Sequence, residues 1–169
     1  SKTEGESVYT EKELQAVSQM KKKRWWIALI PMVAALAAAI VIFVYGQVNR
    51  SDTLWGWTAA LTVLGGVYFL FYYGLCVRPV SLYERHVRNM IHGRKHENTG
   101  LLKELGEQVC EKNGIECRPV MINIGEKDDG KDDRLYYFDL KKEWPNDLPL
   151  GSRVTIVSND MMVADVRVA

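Results

Sequence analysis

The stretch Trp25–Tyr45, WWIALIPMVAALAAAIVIFVY, decides the fold, because it runs for 21 residues without a single charge. At 1.5 Å per residue it makes about 31 Å of helix, the thickness of a bilayer's hydrocarbon core. A second uncharged run, Leu54–Val77, follows after the polar connection Gly46–Thr53 with its Asn49, Ser51 and Asp52. So short a connection joins only antiparallel neighbours, which predicts a transmembrane helical hairpin over residues 25–77. Trp25, Trp26 and Tyr45 bracket the first run, and Trp55, Trp57, Tyr72 and Tyr73 flank the second. These amphipathic rings belong at headgroup level. A cleaved leader is disfavoured, since the basic cluster begins only at Lys21 and apolar sequence continues well past the alanines.

Outward from the hairpin, Lys21, Lys22, Lys23 and Arg24 precede it and Arg78, Arg85, Arg88, Arg94 and Lys95 follow it, whereas the connection holds only Arg50. That asymmetry puts both termini in the cytoplasm, with a bacterial plasma membrane as the expected location. Neither run contains Asp, Glu, Lys, Arg or His, which argues against a self-contained transporter or pump. Ala34, Ala35, Ala38 and Ala39 in the first run and Gly65 and Gly66 in the second offer small surfaces. Ala35, Ala39, Gly65 and Gly66 are the predicted helix-packing residues. Net charge is +1, which excludes a general nucleic-acid binder. The three cysteines, Cys76, Cys110 and Cys117, form no Cys-x-x-Cys pair and fit a reducing compartment. Cys110 and Cys117 could meet across a hairpin; small packed thiols are the simpler expectation.

Residues 1–24 form the N-terminal segment. Ser1–Ser7 is small and polar and reads as disordered. Thr10-x-x-Glu13 then has the form of a capping box, and Leu14, Val17 and Met20 make a narrow stripe. This predicts a short helix, continuous with the first span or lying on the membrane surface. Residues 78–97 form a basic juxtamembrane helix and linker. Val80, Tyr83, Val87 and Met90 recur at helical intervals opposite polar positions, so the helix is expected along the inner leaflet. Arg85, Arg88, Arg94 and Lys95 are its candidate lipid-headgroup contacts. His86, His92 and His96 all fall here; His92 and His96 have metal-ligand spacing but no third ligand, so solvated histidines are expected.

Residues 98–169 alternate short β-rich segments with turn signals, predicting a mainly-β domain of five or six strands, an OB- or SH3-like barrel. Leu101–Lys112 is ambiguous. Its four-residue apolar spacing suits a helix and would make the domain α+β, but Gly106 and Val109-Cys110 favour strands, with Asn113-Gly114 as a type I′ turn. Asn159-Asp160 signals a final hairpin, and Glu126–Asp133 reads as a solvated hairpin tip, not a calcium loop. A helical hairpin followed by a small β domain resembles NfeD-type membrane proteins in layout and final β hairpin, and that resemblance assigns no residue a role.

No G-x-S-x-G, Walker or G-x-G-x-x-G motif occurs, so no catalytic residue, metal or cofactor is expected and the chain reads as a non-enzyme. Tyr136, Tyr137 and Phe138 could stack nucleotide bases, but without a basic groove a core role is favoured. The expected function is that of a membrane-anchored adaptor or accessory subunit. Its partners would be the bilayer and a second protein, or further copies of itself. Trp144, Pro145 and Leu148 are the candidate partner contacts. The alternatives are an oligomeric channel or transporter component, and a regulator that senses anionic lipid.

Overall fold

The computed structural model describes residues 8–126 and 130–169. The chain folds as two compact units, one of Val17–Ser81 and the other of Leu82–Ala169 with the N-terminal segment through Ala16. Helix α1 runs unbroken over Glu11–Val48 and α2 over Thr53–Tyr72; a π turn, Tyr73–Val77, leads into α3, Arg78–His92. The predicted short N-terminal helix is therefore the start of α1. Both long helices are long and apolar enough to cross a membrane.

Within the first unit α1 and α2 pair antiparallel. A Cβ added at Gly65 would lie 3.0 Å from the Ala35 Cβ, and Ala39 is buried, so three of the four predicted packing residues lie where the helices meet. Gly66 does not: its α-carbon faces open space. At one end Trp25 packs edge-on against Tyr73, with ring centroids 5.5 Å apart.

Two prolines open the helical ladders, and a cross-helix hydrogen bond lies at or beside each gap. Pro31 has no N–H to give the Ile27 carbonyl four residues back. The Tyr68 hydroxyl of α2 donates to that carbonyl at 2.8 Å instead. Pro79 would press its ring against the preceding turn of a regular helix. There the chain widens into the π turn, the Arg78 N–H bonding to the Tyr73 carbonyl, and Arg24 of α1 donates to the Cys76 carbonyl at 2.9 Å. Tyr68→Phe is expected to weaken hairpin pairing by about 1 kcal/mol. Pro31→Ala, by restoring the missing N–H, should abolish that cost. Reversible unfolding of the micelle-solubilised chain in SDS would measure both, and equal costs of Tyr68→Phe in either background would refute the assignment.

The second unit holds a six-stranded sheet: β1 His96–Leu105, β2 Cys110–Lys112, β3 Ile115–Asn123, β4 Asp133–Asp139, β5 Arg153–Asn159 and β6 Met162–Val168. Leu101–Lys112 is thus two strands, and Asn113 and Gly114 (φ +54° and +79°) make the tight turn joining β2 to β3. β1 pairs antiparallel with β5 through His96–Leu101 and with β3 through Leu101–Leu105, bulging between Leu102 and Glu104. β5 pairs with β6, β6 meets β4 in parallel at Tyr137–Met162, and β4 pairs with β3, so the pairings return to β1. The core between these strands is Leu102, Val120, Ile122, Tyr136, Phe138, Leu148, Val154, Ile156, Val163 and Val166.

The final turn differs from its sequence signal by one residue. β5 keeps Asn159, and the turn is Asp160-Met161, both at positive φ (+47° and +64°). A methionine is held there because its carbonyl accepts the Tyr137 N–H at 2.8 Å, next to the parallel β4–β6 pairing. The Asn159 side chain donates to the Arg94 carbonyl instead. Val168 is exposed at the strand's end. Ser1–Ser7 and the centre of the Glu126–Asp133 tip lie outside the described residues.

Candidate functional site

In α3 an apolar stripe is expected, and Tyr83, Val87 and Met90 are all buried. Val87 is 0% and Met90 1% exposed, so this face is occupied by the protein. That overturns the expectation of a helix lying in the leaflet, since lipid has no access to the apolar side. Arg85, Arg88, Arg94 and Lys95 are exposed, but Arg88 is paired with Glu84 one turn back. His86 lies on the buried side too, which corrects its reading as a solvated histidine. His92 ends α3 and His96 begins β1, and His92 pairs with Glu11 at 2.9 Å.

Tyr83 and His86, three apart on α3, converge on Asp139 at the end of β4, and Tyr9 joins them from the chain ahead of α1. Asp139 is 1% exposed and Tyr9 2%. Oδ2 of Asp139 accepts the Tyr9 and Tyr83 hydroxyls, each at 3.0 Å, and Oδ1 accepts the Lys141 N–H at 2.9 Å. The Tyr9 oxygen also lies 2.8 Å from His86 Nε2. A hydroxyl has one proton, and Tyr9 gives it to the carboxylate, so the network assigns His86 the Nε2–H tautomer, donating to Tyr9. Tyr83 is also 3.2 Å from Glu13 Oε1, and Glu13 Oε2 accepts Lys142 Nζ at 2.6 Å. Lys141 Nζ sits 3.9 Å from the Tyr83 ring centroid.

Local sequence explains how each group arrives. Thr10 caps α1, its Oγ1 accepting the Glu13 N–H at 3.3 Å. The reciprocal half of a capping box would turn Glu13 back to Thr10, but here the carboxylate goes to Tyr83 and Lys142. Asp139 terminates β4, where its Oδ1 turns the chain through the Lys141 N–H.

Burial, and next the Asp139 charge, raises both tyrosines far above the ordinary phenol range, so each remains a proton donor. Burial lowers His86, opposed by Asp139 and Glu13 and assisted by Lys141 and Lys142. The arrangement is a satisfied brace, in which every named proton has an acceptor. It joins the N-terminal segment, α3 and the end of β4 into one unit.

A pH dependence follows. The unfolded chain binds a proton at His86 near 6.5, whereas the folded unit holds it off. The stability due to the neutral ring is therefore fully present above pH 6.5 and lost as pH falls through the lowered value. Urea unfolding of the β unit should show a lower midpoint at pH 5.5 than at 7.5. His86→Gln, which keeps a donor for Tyr9, should shrink the difference; an unchanged difference would refute the assignment.

The predicted partner contacts turn inward. Leu148 is 2% exposed in the core, Trp144 packs edge-on against Phe138 with centroids 5.2 Å apart, and its Nε1 donates to the Leu148 carbonyl at 2.8 Å. Pro145 is half-buried in the same loop. The aromatic tripeptide divides as expected for a strand: Tyr136 and Phe138 are buried, and Tyr137 is half-buried beneath Lys112.

No family model matches this chain, nor does any curated protein or solved structure. The likeness in layout to NfeD-type proteins therefore adds no residue roles.

Proposed function

We propose that this chain is a membrane-anchored adaptor: its two-helix hairpin crosses the bilayer twice and its β unit, an OB-like barrel by strand order, binds a protein partner in the cytoplasm. The hairpin reading draws support from exposure. Only 11% of the most apolar window of each long helix is buried, and side chains such as Ile30, Val33, Leu64 and Leu70 are more than half exposed. A core helix of a soluble protein would cover such a surface, and lipid is the solvent that suits it. The distribution of Lys and Arg supports cytoplasmic termini.

The observation that carries the adaptor reading is the Tyr9–Asp139–Tyr83–His86 brace. Segments from before and after the hairpin in sequence are both tied into the β unit, and the polar groups that tie them are used on one another. A domain of about seventy residues is marginal alone. The brace supplies what the small core lacks and leaves a fixed module to be presented. The lipid-sensing alternative would rest on the exposed Arg85, Arg88, Arg94 and Lys95 alone, since the apolar face of α3 is buried.

The test is purification of the tagged full chain from its native membrane in mild detergent, with mass spectrometry of what accompanies it. A stoichiometric second protein, lost when the β unit is unfolded by Asp139→Ala, supports the adaptor. A homogeneous homo-oligomer that conducts ions in liposomes overturns it in favour of a channel component.

A further inference from the structure

Cys110 and Cys117 are directly opposed on β2 and β3, across the hairpin closed by Asn113-Gly114. Their Sγ atoms are 3.4 Å apart. Directly opposed residues of antiparallel strands have Cα separations of about 4.5–5.5 Å, inside the range a disulfide spans. Bond formation at about 2.05 Å then needs side-chain rotation and little backbone movement. The two thiols are not equivalent. Cys110 is partly exposed, whereas Cys117 is buried, and burial with the neighbouring Cys110 thiol raises it to about 12. Cys117 is also the cross-strand partner of Asp139, the centre of the brace.

We propose that Cys110 and Cys117 form a thiol–disulfide exchange site, with Cys110 the entry thiol and Cys117 the resolving one. The oxidant is a low-molecular-weight disulfide. The Cys110 thiolate attacks one of its sulfurs, forming a mixed disulfide and releasing the first thiolate, which takes up the proton Cys110 gave up. Cys117 then attacks Cys110 Sγ, closing the Cys110–Cys117 bond and expelling the second thiolate, which takes up the proton Cys117 gives up. Two protein thiols are oxidised and one small disulfide is reduced to two thiols. Exposure sets the order: Cys117 is closed to an external disulfide, yet its sulfur already lies against Cys110. The bond would fasten β2, an edge strand held by three residue pairs, to β3.

The test uses the reduced full chain in detergent, equilibrated with oxidised and reduced glutathione at graded ratios, then acid-quenched, alkylated and mapped by peptide mass spectrometry. The expected result is an intramolecular Cys110–Cys117 disulfide that titrates with the ratio while Cys76 remains alkylated. Cys117→Ala should accumulate a glutathione adduct on Cys110, and Cys110→Ala should leave Cys117 unmodified over the same exposure. Full alkylation of both thiols at every ratio would overturn the proposal, as would disulfide-linked dimers through Cys110 or an adduct first on Cys117.

Discussion

Asp139→Ala is expected to destabilise the β unit by about 3–5 kcal/mol, the range for removing one partner from a buried charged network. The carboxylate accepts three protons: two from buried tyrosine hydroxyls and one from the Lys141 N–H. Alanine removes the carboxylate to which Tyr9 donates, and Tyr9 is 2% exposed, so water does not replace that bond without the site opening. It also leaves Lys141 and Lys142 near a site whose balancing charge has gone. Asp139→Asn should cost less, because its amide oxygen can still accept from one tyrosine. Peptide-resolved hydrogen exchange on the detergent-solubilised chain reads the β unit separately from the long helices. Faster exchange should extend to residues 8–16, although they lie far from Asp139 in sequence. Tyr9→Phe alone should cost about 1–2 kcal/mol, and the double variant less than the sum, because the two share one bond. An Asp139→Ala cost under about 1 kcal/mol, or strict additivity with Tyr9→Phe, would refute the brace.

The brace was hard to read in the sequence for a physical reason: its members are scattered, and each looks ordinary by itself. Tyr9 precedes a helix cap, Asp139 ends an aromatic strand and Glu13 imitates a capping box. One local signal was present. His86 shares a helical face with Tyr83, Val87 and Met90, and a histidine on an apolar stripe is more often buried and satisfied than solvated. The basic residues around that stripe carry the opposite signal, that of a helix on an anionic surface. The elements legible in advance were those with a local cause. Uncharged runs of span length gave the two long helices, and Asn113-Gly114 between β-rich runs gave the β2–β3 turn. Small residues gave the helix contact at Ala35, Ala39 and Gly65, whereas Gly66, one position on, faces away, because a helix turns about 100° per residue. Trp144 and Leu148 pack inward, and their placement is not legible in advance because a loop's apolar residues carry no period from which to tell inside from outside.

Gly100→Ala is expected to destabilise the β unit by about 3 kcal/mol, a large effect for a single methyl group. β1 changes partners at this point: Gly100 is the last residue opposite β5 alone, and Leu101 already faces both Arg153 and Asn123. A strand that serves two neighbours must bend sharply, and at such a corner the backbones approach closely. A Cβ on Gly100 would lie 2.3 Å from the Asn123 carbonyl oxygen and 2.8 Å from its carbon. Those are backbone atoms, so no rotamer change relieves the clash; β3 must withdraw or β1 must straighten. Overpacking of this kind costs about 1–3 kcal/mol, and the upper end applies where main chain has to move. The damage should be local in kind. Exchange should quicken first across Leu101–Leu105 and Val120–Asn123, the residues that pair β1 with β3, before the β5–β6 hairpin loosens. If the midpoint of urea unfolding fell with no change in slope, the closure would be strained but intact; a shallower slope would mean that β1 had left β3 in the native state. A cost under about 0.5 kcal/mol would mean that β1 does not approach β3 this closely, and that the strand pairings do not return to β1.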